Sequence, residues 1–230
     1  LHKAIRRQRQ MCIRDRDRMN TINSTEWEKM LLKYKFAKTM LEAELEILLE
    51  EHEFRTGNTP VEHIKTRLKS ESSILKKLED KGYEKTVENV EKYIHDIVGF
   101  RIVCSFLSDV YDIVNIIKSS KNFKIKNEND YIKNPKDTGY SSYHLNILIP
   151  IHLEQRLEYV EAEIQIRTVA MDFWASLDHK LQYKLPQDIP VYLERELLSC
   201  SNEIKIMDTK MQHLYDIVKK YTDKKQEEEV

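Results

Sequence analysis

Residues 159–168 read Tyr-Val-Glu-Ala-Glu-Ile-Gln-Ile-Arg-Thr, and residues 169–179 continue Val-Ala-Met-Asp-Phe-Trp-Ala-Ser-Leu-Asp-His. The first run alternates strictly. Side chains alternate across a strand, so Glu161, Glu163, Gln165 and Arg167 share one face while Ala162, Ile164 and Ile166 turn to a core. The period then changes. Ala170, Trp174, Leu177 and Leu181 recur at helical spacing, which predicts a helix over Ala170–Lys184. Upstream, branched and aromatic residues predict strands at Asp96–Phe106, Phe123–Lys126 and Tyr143–Ile151. Helices are expected at Val87–Tyr93 and Val110–Lys118, with a polar loop at Asn129–Gly139. Ser70–Lys81 is a further helical stretch, with Ile74, Leu75 and Leu78 as its apolar stripe and Gly82 as its cap. Thr25 and Glu28 have capping-box spacing. They open a helix that carries Trp27, Leu31, Tyr34, Leu41, Leu45, Leu48 and Leu49 to about Phe54, before Gly57-Asn-Thr-Pro60 breaks it. After Pro186 and Pro190, residues 191–222 predict one or two helices. The pattern is α+β: one mixed sheet of about five strands, wrapped by helices.

Composition narrows the chemistry. The chain has 230 residues, 40% of them hydrophobic and 33% charged, enough for one core under a well-hydrated surface. Only four glycines occur, at 57, 82, 99 and 139. That spacing excludes both a P-loop and a GxGxxG dinucleotide loop, so phosphates must be held by side chains. No apolar run approaches the ~18 residues of a membrane span. Three scattered cysteines (Cys12, Cys104, Cys200) make neither a disulfide framework nor a metal knuckle, which favours a reducing, cytoplasmic setting. The net charge of −1 conceals a basic leader, since residues 1–18 hold seven Lys/Arg against two Asp. The run Met11-Cys-Ile-Arg-Asp-Arg16 matches nothing that follows. The expectation is a non-native leader at 1–18 and one domain at 19–223, divided into a helix (19–60), a catalytic core (61–185) and C-terminal helices (186–223). A frayed charged tail is expected at 224–230.

Three clusters carry chemical potential. The polar face of the 161–167 strand is the first, although four polar groups in a row also describe the wet face of any sheet. Asp96, at the mouth of the next strand, is the second. Carboxylates from two strands suit a hard cation such as Mg2+, which leaves its other positions to water and phosphate. Asp96 and Arg101 differ in parity, so both face one site only if Gly99 marks a bulge or bend. The third cluster is Tyr131 to His144, which holds Lys133, Lys136, Gly139 and Tyr140. Lysines neutralise phosphate and a tyrosine ring stacks on a purine. A further basic set, Lys65 to Lys77, crosses a helix N-terminus, where cations are tolerated if an anion binds. His95-Asp96 and Asp178-His179 look like fragments of a metal-phosphohydrolase pair but lack the other histidines and their spacing.

In this order the clusters resemble the synthetase domain of RelA/SpoT-type enzymes, and more closely the stand-alone small alarmone synthetases, RelP-like subgroup. The stretches that carry the resemblance are His63-Ile-Lys-Thr-Arg-Leu-Lys-Ser70 with Ser73-Ile74, His95 to Ser105, Lys136 to His144, and Ala162 to Ala175 with His179. The resemblance implies a nucleotidyltransferase-like fold, a homotetramer, and transfer of the β,γ-pyrophosphate of ATP to the 3′-hydroxyl of GTP or GDP. It implies Mg2+ on Asp96 and Glu163, with Glu163 also acting as base. Arg67 and Arg101 would sandwich adenine, and Lys69, Ser70 and Lys77 would hold ATP phosphates. Tyr140 would stack on guanine through its ring alone, with Lys136, His144, Gln165, Arg167 and Asp172 around the acceptor nucleotide. The family reads Asn-Gly-Tyr-Arg-Ser where this chain has Thr138-Gly-Tyr-Ser-Ser142, so one arginine is missing from the acceptor-phosphate side. No hydrolase or regulatory domain is read in the chain, so degradation is expected from another protein, with no membrane or nucleic acid as partner. The competing readings are a nucleotidyltransferase with another acceptor and a non-catalytic RNA-binding scaffold.

Overall fold

The computed structural model describes residues 24–154, 156–184 and 190–228. The expected leader (1–18) and the boundary at 185–186 lie outside the described residues. Helix α1 (Ser24–Thr56) comes first, followed by β1 (Val61–Leu68), α2 (Glu71–Asp80), α3 (Val87–Tyr93), β2 (Val98–Cys104), α4 (Leu107–Ser119) and β3 (Lys124–Asp130). Then come β4 (Tyr143–Leu153), β5 (Arg156–Thr168), α5 (Val169–Lys184) and α6 (Val191–Glu228). The five strands form one sheet in the order β1-β2-β5-β4-β3. Only β2 and β5 run parallel; the other neighbours are antiparallel.

The alternation in β5 does what it predicts. Ala162, Ile164 and Ile166 are fully buried, opposite Val98, Phe100 and Ile102 of β2 and Ile147, Leu145 and Tyr143 of β4. Tyr34, Ala37, Leu41 and Leu45 of α1, with Ile113, Val114 and Ile117 of α4, close over the same core. The polar residues stand on the opposite face of the sheet.

Several boundaries differ from expectation; β3, for one, pairs with β4 through Asp130 instead of ending at Lys126 and giving way to a loop at Asn129. Residues 61–68, where Lys65 and Arg67 were read with a helix N-terminus, form an edge strand antiparallel to β2. Its apolar residues Ile64 and Leu68 remain about a third exposed, and charged residues separate them, as on edge strands generally. The C-terminal segment, expected as one or two helices, is one helix, Val191–Glu228. Ser70 is not inside α2 but caps it, its side chain accepting from Ser73 N–H. At the other end Gly82, with φ +72°, closes a Schellman turn: its N–H reaches Glu79 O at 2.9 Å and Tyr83 N–H reaches Leu78 O at 2.9 Å.

Candidate active site

Strand register assembles the site. Arg67 of β1 lies opposite Gly99 of β2, which lies opposite Glu163 of β5, which lies opposite Asn146 of β4. The next row of the same face is Lys65, Arg101, Gln165 and His144. Residues directly across a ladder share a face, so four segments distant in sequence present one band of carboxylate, amide, imidazole and guanidinium groups.

Asp96 reaches that band by a different route than a bulge at Gly99. Strand β2 pairs with β5 without interruption from Val98 to Cys104. The chain instead bends at Ile97, just before the strand, where Ile97 O accepts from Lys69 N–H at 2.8 Å. Gly99 has another use. A Cβ there would stand 3.4 Å from Cγ and Nε of Arg67, so the arginine side chain packs against the strand at this position. Lys69 and Lys77 each donate to one oxygen of Asp96 at 2.8 Å. Burial pushes the Asp96 carboxyl up, but the two lysines pull it further down, to about 2.

That clamp has a signed consequence. The folded value lies below the ordinary 3.8, so the contribution to stability is complete above about pH 4 and is lost as pH falls toward 2. The shift corresponds to at most about 2 kcal/mol. Chemical denaturation between pH 5 and pH 2 checks it: wild type is expected to lose stability relative to Asp96→Asn across that window. Parallel curves would mean that the clamp is not formed.

Arg101 NH1 sits 3.2 Å from Asp172 Oδ1, and its Nε is buried without a hydrogen-bond partner. An orphaned buried donor is costly unless a ligand satisfies it. Glu163 accepts from Gln165 Nε2 at 2.8 Å and lies 3.3 Å from His144 Nδ1. Burial raises its carboxyl, but the hydrogen bonds of His144 and Gln165 bring it below the usual value against an opposing push from Asp96.

On the other side, Tyr140 follows Gly139, whose φ of +88° favours glycine. Tyr143 is the buried tyrosine, 6% exposed; Tyr140 is only half-buried. Lys136 Nζ lies 5.1 Å from the Tyr140 ring centroid and 4.9 Å from that of Tyr131. Thr138 Oγ1 accepts from Tyr140 N–H at 3.4 Å, so a hydroxyl serves the turn where the family carries an asparagine. The Tyr140 hydroxyl is not idle: it bonds His144 Nε2 at 2.8 Å and accepts from Arg167 NH2 at 2.5 Å.

Two residues expected among the acceptor contacts are engaged within the protein. Arg167 is buried and spends its donors on Ser142 Oγ (3.2 Å), Gln165 Oε1 (2.7 Å), Tyr140 and Asp172 Oδ1 (3.3 Å). Asp172, also buried, is shared by Arg101 and Arg167. The pair therefore joins the two sides of the band. Ser142 was not singled out, and Glu161, placed on the polar face but given no role, accepts from Lys126 (2.7 Å) and Asn146 (3.0 Å) and bonds His95 Nδ1 (2.8 Å). Alternation put Glu161 on this face, but no local signal distinguishes a carboxylate held by its neighbours from one left open.

Comparison with known proteins decides the family. The domain described as a region found in RelA / SpoT proteins matches residues 66–188. The GTP pyrophosphokinase YwaC of Bacillus subtilis is 47% identical over 186 residues, covering 81% of this chain and 89% of that protein. The chain belongs to the RelA/SpoT family. Another RelA/SpoT relative, the GTP pyrophosphokinase YjbM of Bacillus subtilis, is 32% identical over 84% of this chain and 90% of its own length. Among solved structures, small alarmone synthetase 2 from Bacillus subtilis superposes with a TM-score of 0.74 at 45% identity, covering 83% of this chain and 98% of that one. Small alarmone synthetase 1 from the same organism, bound to its product pppGpp, gives 0.75 at 33% identity over 84% and 98%. The mixed five-stranded sheet is thus the RelA/SpoT synthetase fold.

Proposed function

We propose that this chain is a GTP pyrophosphokinase, which transfers the β,γ-pyrophosphate of ATP to the 3′-hydroxyl of GTP or GDP and releases AMP. The observation that carries the reading is the pair Asp96 and Glu163 on one open sheet face. Lys69, Lys77, Arg67 and Arg101 flank that pair on one side, and Tyr140, His144 and Lys136 on the other. The family's relatives bear the same activity in their names. Incubation with ATP, Mg2+ and each guanine nucleotide tests it: AMP and a 3′-pyrophosphorylated product are expected, and release of pyrophosphate would mean nucleotidyl transfer instead.

The residues fit Mg2+. Two ionised carboxylates close enough for Asp96 to push the Glu163 carboxyl upward are relieved by a shared cation. Two carboxylates would leave the remaining positions of the ion to water and phosphate, the preference of Mg2+. Asp96 and Glu163 would hold the ion, and it would supply charge neutralisation at the transferring phosphates. In this reading the 3′-oxygen bonds to the β-phosphorus of ATP. The bond from that phosphorus to the oxygen bridging the α-phosphate breaks, and AMP departs with the electron pair. The 3′-hydroxyl proton goes to the Glu163 carboxylate. Lys69 and Lys77, already converging on Asp96, hold the polyphosphate, with Ser70 beside them. His144, Lys136 and Gln165 orient the acceptor, while Arg167 and Asp172 act through Tyr140, Gln165 and Arg101. Apart from that proton transfer, the protein contributes positioning and charge.

Adenine would lie between Arg67 and Arg101. Arg67→Lys keeps the charge and loses the plane, so the ATP KM should rise about 2- to 30-fold, the range of a cation–π contact, with the guanine-nucleotide KM unchanged. Equal KM values for lysine variant and wild type would remove the stacking role.

The same reading carries the finer expectations: a single synthetase unit, a cytoplasmic setting and a homotetramer. Among the described residues no helix is long and apolar enough to cross a membrane. Met207, Met211, Leu214 and Val218 leave an apolar stripe exposed on α6, which supports self-association.

A further inference from the structure

One face of α6 touches three separate parts of the acceptor side. Ser201 Oγ donates to Gly139 O at 2.5 Å. Seven residues on, about two helical turns, Asp208 accepts from Thr168 Oγ1 at 2.6 Å. Thr168 is the residue after Arg167, and it also accepts from Met171 N–H at the start of α5 at 3.2 Å. One turn before Ser201, Leu197 O accepts from Trp174 Nε1 of α5 at 3.1 Å. The contact at Gly139 is the closest. A Cβ there would stand 2.6 Å from Ser201 Cβ and 3.2 Å from Leu198 Cδ1, so loop backbone lies directly on the helix.

The loop is stiff enough to transmit this. Gly139 N–H donates to Lys136 O at 2.8 Å and Lys136 N–H to Tyr140 O at 3.1 Å, so residues 136–140 form a turn closed by its own hydrogen bonds. Its orientation depends on where the Gly139 carbonyl is held. Tyr140, the next residue, is fixed at its far end by Arg167 and His144. The ring is thus held by its hydroxyl from β4 and β5 and, through the preceding carbonyl, from α6.

We propose that Ser201 is a positioning residue for the guanine-nucleotide site: through Gly139 it sets the turn that carries Lys136 and Tyr140, without touching substrate. The proposal rests on the reading of Tyr140 as the guanine-stacking residue. It makes α6 part of the acceptor site as well as a surface for self-association. Asp208 anchors the same helix to the end of β5.

Steady-state kinetics of the full chain test it. Loss of one neutral hydrogen bond corresponds to about 2- to 12-fold in an equilibrium. Ser201→Ala should raise the guanine-nucleotide KM within that range, leave the ATP KM unchanged and lower kcat little. Ser201→Thr, which keeps the hydroxyl, should restore the wild-type KM. In a Tyr140→Ala background, Ser201→Ala should add less than it does alone, because its effect passes through that ring. Equal changes in both KM values, or a lowered melting temperature with both KM values intact, would overturn the proposal in favour of a purely structural contact. A Tyr140→Ala variant with an unchanged guanine-nucleotide KM would instead remove the acceptor reading itself. A raised KM in Tyr140→Ala with none in Ser201→Ala would remove only the Ser201 role.

Discussion

Asp96→Asn and Glu163→Gln are each expected to lower pyrophosphate transfer at least 10²-fold with the fold intact. Each substitution conserves volume and removes one charge, and loss of a metal ligand or base costs at least that much. The surroundings make the variants informative. Asp96 is only partly buried, and its partners Lys69 and Lys77 retain 16% and 35% side-chain exposure, so both lysines can turn to solvent when the carboxylate is lost. Glu163 keeps the amide of Gln165 beside it, which a glutamine can still engage. Circular dichroism should therefore stay near wild type for both variants, and Asp96→Asn should melt lower at neutral pH by no more than the clamp contributes, while AMP release collapses. Near-normal turnover by either purified variant would sink the two-carboxylate site.

The second large effect is at Tyr140. A ring stacked on a base contributes about 1–3 kcal/mol, so Tyr140→Ala should raise the guanine-nucleotide KM about 5- to 150-fold with the ATP KM unchanged. The sequence alone makes Tyr140→Phe silent. The structure changes that expectation, because the hydroxyl accepts from Arg167 and bonds His144. Removing it leaves a buried guanidinium nitrogen short of a partner, at a cost of about 1–3 kcal/mol. Both variants should therefore melt lower than wild type, and only the alanine variant should show the large KM increase. If phenylalanine raises the KM as much as alanine does, the hydroxyl network is the contribution and stacking is not.

Alternation along residues 159–168 was enough to assign β5, its buried face and its polar face, because strand geometry fixes side-chain direction locally. The glycine count was enough to remove glycine-cradle phosphate binding. The helix at 87–93 and the cap at Gly82 followed from neighbours within a turn. Edge strand β1 was missed for the converse reason: its residues bury little, so the apolar pattern that marks a strand is weak there, and pairing with β2 decides its form.

Tertiary structure decided the partners. The polar face of β5 made Arg167 and Glu161 equal candidates for ligand contact. Packing buried the first among Ser142, Gln165, Tyr140 and Asp172, and bound the second to Lys126, Asn146 and His95. Asp96 joined the site through a bend at Ile97, which parity along the strand does not encode. Ser201 and Asp208 meet Gly139 and Thr168 across 62 and 40 residues of chain, a distance over which sequence periodicity carries no information. Covalent geometry fixed which side of a strand or helix each residue occupies. Which groups then meet depended on register and on how α5 and α6 close against the sheet, because hydrogen-bond partners across such separations are set by the packing of whole elements.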